Sequence, residues 1–156
     1  MPEDRLAKVK VRDIDQLIIE NPSVIDENSS LIDLLREIIK DTRSRHVYVV
    51  NKKNKLIGSV RLNNTIQYMF PATSLLQERE NLQISSFMLY SSAKTVKDIM
   101  TTNPSYVFED TLLLEMIRIM IREKVNELPV VDKQHQVIGE VNFLEVIDYY
   151  LKNIDL

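Results

Sequence analysis

The chain of 156 residues contains no cysteine, which excludes disulfides, thiolate nucleophiles and any cysteine-ligated zinc or iron–sulfur cluster. It has two histidines, His46 and His135, far apart in sequence, so no HExxH metal helix exists. It has two glycines, where an average composition of roughly 7% predicts about eleven. Walker, GxGxxG and GxSxG patterns each need two glycines close together and are absent with them. No apolar run approaches the roughly 18 residues that span a bilayer, and the opening MPEDRLAKVK lacks the apolar core of a secretory signal. The net charge of −3 gives no general attraction to a phosphate backbone, and the basic turn NKKNK (51–55) has no interleaved aromatics. These absences lead us to expect a cytoplasmic protein with no membrane insertion, no nucleic-acid partner and no enzymatic activity. The adjacent acids Glu109 and Asp110 fit the start of a helix better than an acid–base pair.

The two glycines are in register. Gly58 lies in KLIGSV (55–60) and Gly139 in QVIGEV (136–141), 81 positions apart. At that offset VYVVNKKNKLIGSVRLNNTIQY (47–68) matches LPVVDKQHQVIGEVNFLEVIDY (128–149) at eight of 22 positions, which marks a duplication. Upstream the match continues, with VRDI (11–14) against VKDI (96–99) and NPS at both 21–23 and 103–105.

Each copy predicts the order β-α-β-β-α, giving an α+β fold. A short strand, VID or YVFE, precedes an amphipathic helix. That helix carries Leu31, Leu34, Leu35, Ile38 and Ile39 behind a capping box of Ser30 and Asp33, or Leu112, Leu113, Met116, Ile117 and Met120. Two β-branched runs separated by five polar residues then form a hairpin. A closing helix carries Ile66, Met69 and Phe70, or Val146, Ile147, Tyr150 and Leu151. A unit of about 60 residues is marginal alone, so the copies are expected to associate as an intramolecular pseudo-twofold pair. The division is 1–70, first repeat; 71–94, insert; 95–156, second repeat. Pro71 ends the preceding helix, and the insert's Leu75, Leu76, Leu82, Ile84, Phe87, Met88 and Leu89 predict ordered helices rather than a flexible linker.

The stretch ELPVVDKQHQVIGEVNFLEVI (127–147) resembles a CBS domain, the repeat named after cystathionine β-synthase. HVYVVNKKNKLIGSVRLNNTI (46–66) resembles it with Tyr48 for the usual proline and Asn51 for the aspartate, and VKDIMTTNPSYVFEDTLL (96–113) resembles the family's opening segment. A tandem of this kind is a Bateman module. The resemblance implies a regulatory module that binds AMP, ADP, ATP or S-adenosylmethionine in clefts between paired repeats, works as a homodimer and controls a separate partner protein. No covalent cofactor and no metal are implied.

In the family the glycine is followed by a Ser or Thr that bonds a phosphate and then by a carboxylate that takes the ribose hydroxyls. Here Val60, Arg61 and Asn64 follow Gly58, and Val141, Asn142 and Glu145 follow Gly139, so both motifs depart from the pattern. Glu145 keeps the ribose-binding charge, which makes the second motif the expected ligand end; Arg61 substitutes an ionic phosphate contact for a neutral one. By position, the resemblance also assigns His46 and Val47, and Glu127 and Leu128, to an adenine edge, with Ile14, Val24, Ile99, Thr102 and Val107 as walls. Two other readings stay open. One is a CBS pair that has lost its ligand and serves as a dimerisation scaffold; the other is an ACT-like sensor, which needs a closing strand where this chain ends in VIDYYLKNIDL.

Overall fold

The computed structural model describes residues 6–41, 44–69 and 93–153. In chain order the elements are a 3-10 turn (Val11–Asp13), β1 (Ile18–Ile19), β2 (Val24–Asp26), α1 (Leu31–Lys40), β3 (His46–Val50), β4 (Leu56–Arg61) and α2 (Leu62–Met69). A second 3-10 turn (Val96–Asp98) follows, then β5 (Thr101–Thr102), α3 (Leu113–Glu123), β6 (Glu127–Val131), β7 (Val137–Asn142) and α4 (Phe143–Asn153). The expected β-α-β-β-α order is present in both copies, with one reduction. YVFE does not form a strand; Val107 alone makes a parallel bridge to Val130, while Tyr106 and Phe108 are exposed. The Thr111 hydroxyl accepts a hydrogen bond from Phe108 N at 2.9 Å and turns the chain before pairing can extend.

The β-branched runs form the centre of each sheet. One sheet has the order β2-β3-β4-β5 and the other β1-β7-β6, with Val107 bridged beyond β6. Asn54 and His135, equivalent residues of the two hairpin turns, both adopt left-handed backbone, with φ of 59° and 64°. Ser30 caps α1 by accepting from Asp33 N at 3.1 Å. The Asp33 carboxylate pairs with Arg36 at 3.1 Å. On α3, Leu113, Met116, Ile119 and Met120 are buried, whereas Leu112 is the exposed residue before its first turn.

The chain divides into two compact units that cut across the repeats. Described residues of 23–53 and 57–103 form a central unit, and those of 1–22, 54–56 and 104–156 form a terminal unit. Each repeat's opening segment therefore packs with the other repeat's hairpin. In the central unit β5 runs antiparallel to β4, Thr102 opposite Gly58; in the terminal unit β1 runs antiparallel to β7, Ile18 opposite Val141. The VxDI sequences anchor these crossings. Val11 and Val96 are fully buried, Ile14 and Ile99 nearly so. Asp13 accepts from Lys10 N at 2.8 Å, and Asp98 from Lys94 N and Thr95 N at 2.9 Å each.

Crossing explains the glycines. Neither has positive φ, so neither is required for its backbone angle. A Cβ on Gly58 would lie 2.5 Å from Met100 Sδ and 3.0 Å from the Thr101 carbonyl oxygen; one on Gly139 would lie 2.6 Å from Ile18 Cγ2 and 3.0 Å from the Ile19 carbonyl oxygen.

The central core gathers Ile25, Leu34, Val47, Val49, Val60, Val96 and Ile99. The terminal core gathers Val11, Ile14, Leu17, Val107, Leu113, Met116, Leu128, Val130, Val141 and Val146, among others. The closing helices differ from expectation. Thr65 and Val146 are their buried residues, while Ile66, Ile147, Tyr150 and Leu151 are exposed. Phe70 and the helices expected in the insert fall within 70–92, outside the described residues.

Candidate ligand-binding site

In each unit the hairpin brings together the residue that opens its first strand and the residue that ends its second. In the central unit these are His46 and Arg61, both half-buried, and Arg61 Nε donates to His46 Nε2 at 3.3 Å. Because Nε2 accepts, Nδ1 is left as the ring's N–H. The ring stacks on Tyr48 at 6.2 Å between centroids. In the terminal unit the equivalents are Glu127 and Asn142, direct partners in the β6–β7 ladder and both buried. Asn142 Nδ2 donates to Glu127 Oε2 at 3.1 Å, and Asn142 Oδ1 accepts from Leu144 N at 3.0 Å.

Beside His46 the central unit holds a shallow depression, with enclosed space of about 10 Å³, lined by Ser23, Asp41, Ser44, Arg45, Val47 and Leu62 among others. A space of that size holds about one water molecule, so the depression is a surface dimple and not an enclosed pocket. Its rim is polar and built by local bonds. Ser44 N donates to Asp41 Oδ1 at 3.3 Å, Ser44 Oγ donates to the His46 carbonyl at 3.0 Å, and Leu62 N donates to the Arg45 carbonyl at 2.9 Å. Sequence reading named His46 and Val47 there and missed Ser44, Arg45 and Leu62. Ser44 and Arg45 precede β3 in a stretch without periodicity, so nothing in the string marked them.

The other candidates sort by unit. Val24, Val60, Asn64, Ile99 and Thr102 lie in the central unit with His46, Val47 and Arg61; Ile14, Val107, Leu128, Val141 and Glu145 lie in the terminal unit with Glu127 and Asn142. Ile14 and Val24 thus belong to different units, as do Val107 and the pair Ile99 and Thr102. Val47, Val60 and Ile99, and Ile14, Val107, Leu128 and Val141, have their side chains in the cores. Asn64 on α2 and Glu145 on α4 are half-buried, and Thr102 is exposed. Among the described residues no cluster of three His, Asp or Glu side chains is placed to hold a metal, and no helix is long and apolar enough to cross a membrane.

Two hairpin-centred sheets, each completed by a strand from the other repeat and each with a polar pair at the hairpin's open end, define a tandem-repeat α+β fold. The CBS domain family model matches residues 11–70 and 96–152, and the chain belongs to that family. An uncharacterized protein of Methanocaldococcus jannaschii is 28% identical over 147 residues, covering 84% of this chain and 87% of that protein. The crystal structure of a CBS domain-containing protein from Thermotoga maritima superposes with a TM-score of 0.73 at 27% identity, covering 96% of this chain and 99% of that one. CBSX2 of Arabidopsis thaliana in complex with AMP superposes with a TM-score of 0.68 at 22% identity, over 92% of this chain and 96% of that one.

Proposed function

We propose that this CBS pair is a regulatory module that binds an adenosine-containing ligand and, as a homodimer, modulates a separate partner protein. The observation that carries the reading is the half-buried His46–Arg61 pair at the open end of the central hairpin, with a shallow depression beside His46. The AMP complex of CBSX2 supports adenosine as the ligand class. Exposed Leu144, Ile147, Tyr150 and Leu151 on α4 support self-association, since apolar surface of this kind on one helix favours a covered face.

Binding regulates a partner only where the ligand favours one of two arrangements. Glu145, the ribose acceptor expected at the equivalent end of the terminal unit, gives a residue-level test of a second site beside that of the central unit. Glu145→Ala is expected to weaken an adenosine ligand about tenfold or more through loss of a charged hydrogen bond, measured by calorimetry; unchanged affinity removes Glu145 from the site. The module as a whole is tested by thermal-shift titration with AMP, ADP, ATP and S-adenosylmethionine. Silence from all four at millimolar concentration favours the ligand-free dimerisation scaffold, a reading to which Asn142 lends weight because its amide already serves Glu127 and Leu144.

A further inference from the structure

The connection between β1 and β2 is four residues, Glu20–Ser23, and it carries the chain out of the terminal unit and into the central one after Pro22. The return crossing lies between Asn103 and Pro104. Both crossings have the same chemistry, an asparagine directly before a proline. Proline clashes with α conformations of the residue before it and pushes that residue to extended backbone. Asn21 and Asn103 nevertheless hold φ of 56° and 50°. Asparagine tolerates left-handed backbone, but the following proline works against it, so each crossing is a short connection under strain. Asn21 is exposed, and no burial of its own side chain fixes that angle.

Upstream of Asn21 the chain docks on residues 109–141. Val11 N donates to the Thr111 carbonyl at 2.8 Å, Arg12 N to the Glu109 carbonyl at 2.9 Å, and Leu113 N to the Val9 carbonyl at 2.8 Å. Lys10 bridges to Leu112, and β1 pairs with β7. Val11, Ile14 and Leu17 fill the terminal core. A second copy of the chain offers every one of these partners in the same geometry. Rotation of Asn21 to extended backbone relieves the strain and carries residues 1–20 away from their own terminal unit. Short strained hinges favour this kind of exchange between copies.

We infer that the chain forms a dimer by reciprocal exchange of its opening segment about Asn21, each terminal unit being completed by residues 1–20 of the other copy. The closed chain and the exchanged dimer make the same contacts except at the hinge, so hinge strain and protein concentration set the balance between them. This dimer is distinct from association through the exposed face of α4, and it does not depend on the adenosine reading. The unit that holds Glu127 and Glu145 is then incomplete without the second copy.

A chain without cysteine makes cross-linking a direct test. Lys10→Cys combined with Leu112→Cys puts two thiols at the opposed positions of the antiparallel bridge, within disulfide reach. The full chain is unfolded, refolded over a range of concentrations, oxidised and run on a non-reducing denaturing gel. A closed chain gives an internal disulfide and runs as a monomer, whereas the exchanged form runs as a covalent dimer; Leu112→Cys alone marks the background of chance cross-links. The covalent dimer is expected to grow with concentration. Asn21→Val, which resists positive φ, should raise the association constant roughly tenfold for each of the two hinges released. Asn21→Gly, which takes that backbone freely, should lower it. A monomer-sized product at every concentration overturns the exchange; a dimer seen there by light scattering leaves association through α4 standing without it. Equal dimer fractions in Asn21→Val and Asn21→Gly also overturn it, because hinge strain then plays no part. Should Asn21→Val not fold, the concentration series on the unaltered hinge and the Asn21→Gly comparison still decide.

Discussion

An added methyl at Gly139 meets a β-branched neighbour, Ile18 Cγ2 at 2.6 Å, whereas at Gly58 the nearest atom is the flexible Met100 Sδ at 2.5 Å. Isoleucine is stiff at χ1 and methionine adapts. Overpacking of this kind costs about 1–3 kcal/mol, so Gly139→Ala is expected to fall in that range and Gly58→Ala to cost less, as read from denaturant midpoints. Asp98 offers a second test at this scale. Backbone N–H groups of Thr95, then Lys94, hold its carboxyl below the ordinary value of 3.8. Its contribution to stability is thus present above 3.8 and is lost as pH falls through the lower folded value. The stability difference between the unaltered chain and Asp98→Asn should shrink in acid below 3.8, measured by unfolding across that range. The repeat made both VxDI aspartates visible in the sequence. Their capping role was not, because it depends on the turn that follows.

Helical spacing was enough to place α1 and α3, whose apolar stripes bury Leu34 in one unit and Leu113, Met116 and Met120 in the other. It failed to orient the closing helices, because periodicity marks an apolar face without saying what covers it; Ile147 and Tyr150 share such a face and lie open. Scarcity of glycine also shapes helix ends. α3 stops at Lys124, with φ of 55° and its N–H donating to the Met120 and Ile121 carbonyls, a left-handed position that glycine occupies at no steric cost. Lys124→Gly is expected to stabilise the protein by about 1 kcal/mol, seen as a raised thermal midpoint. Asn21 and Asn103, the asparagines of the two NPS segments, take left-handed backbone at φ of 56° and 50° because asparagine tolerates it.

At the scale of the whole molecule, each compact unit needs chain from both repeats. Residues 1–70 alone lack β5 beside Gly58, and residues 93–156 alone lack β1 beside Gly139. Expressed separately, each half is expected to be unfolded by circular dichroism, and co-expressed halves to fold and co-elute; independent folding of either half would contradict the exchange. The sequence by itself determined the duplication, the order of elements and the family, because these follow from local hydrophobic period and from a motif written twice in one register. Tertiary structure alone decided which opening segment pairs with which hairpin, since a strand of two residues such as β1 carries too little pattern to choose its partner. It also decided that Arg61 meets His46 and Glu127 meets Asn142. Residues fifteen apart become neighbours only when a hairpin folds in register, because strand pairing and not sequence distance sets which side chains meet.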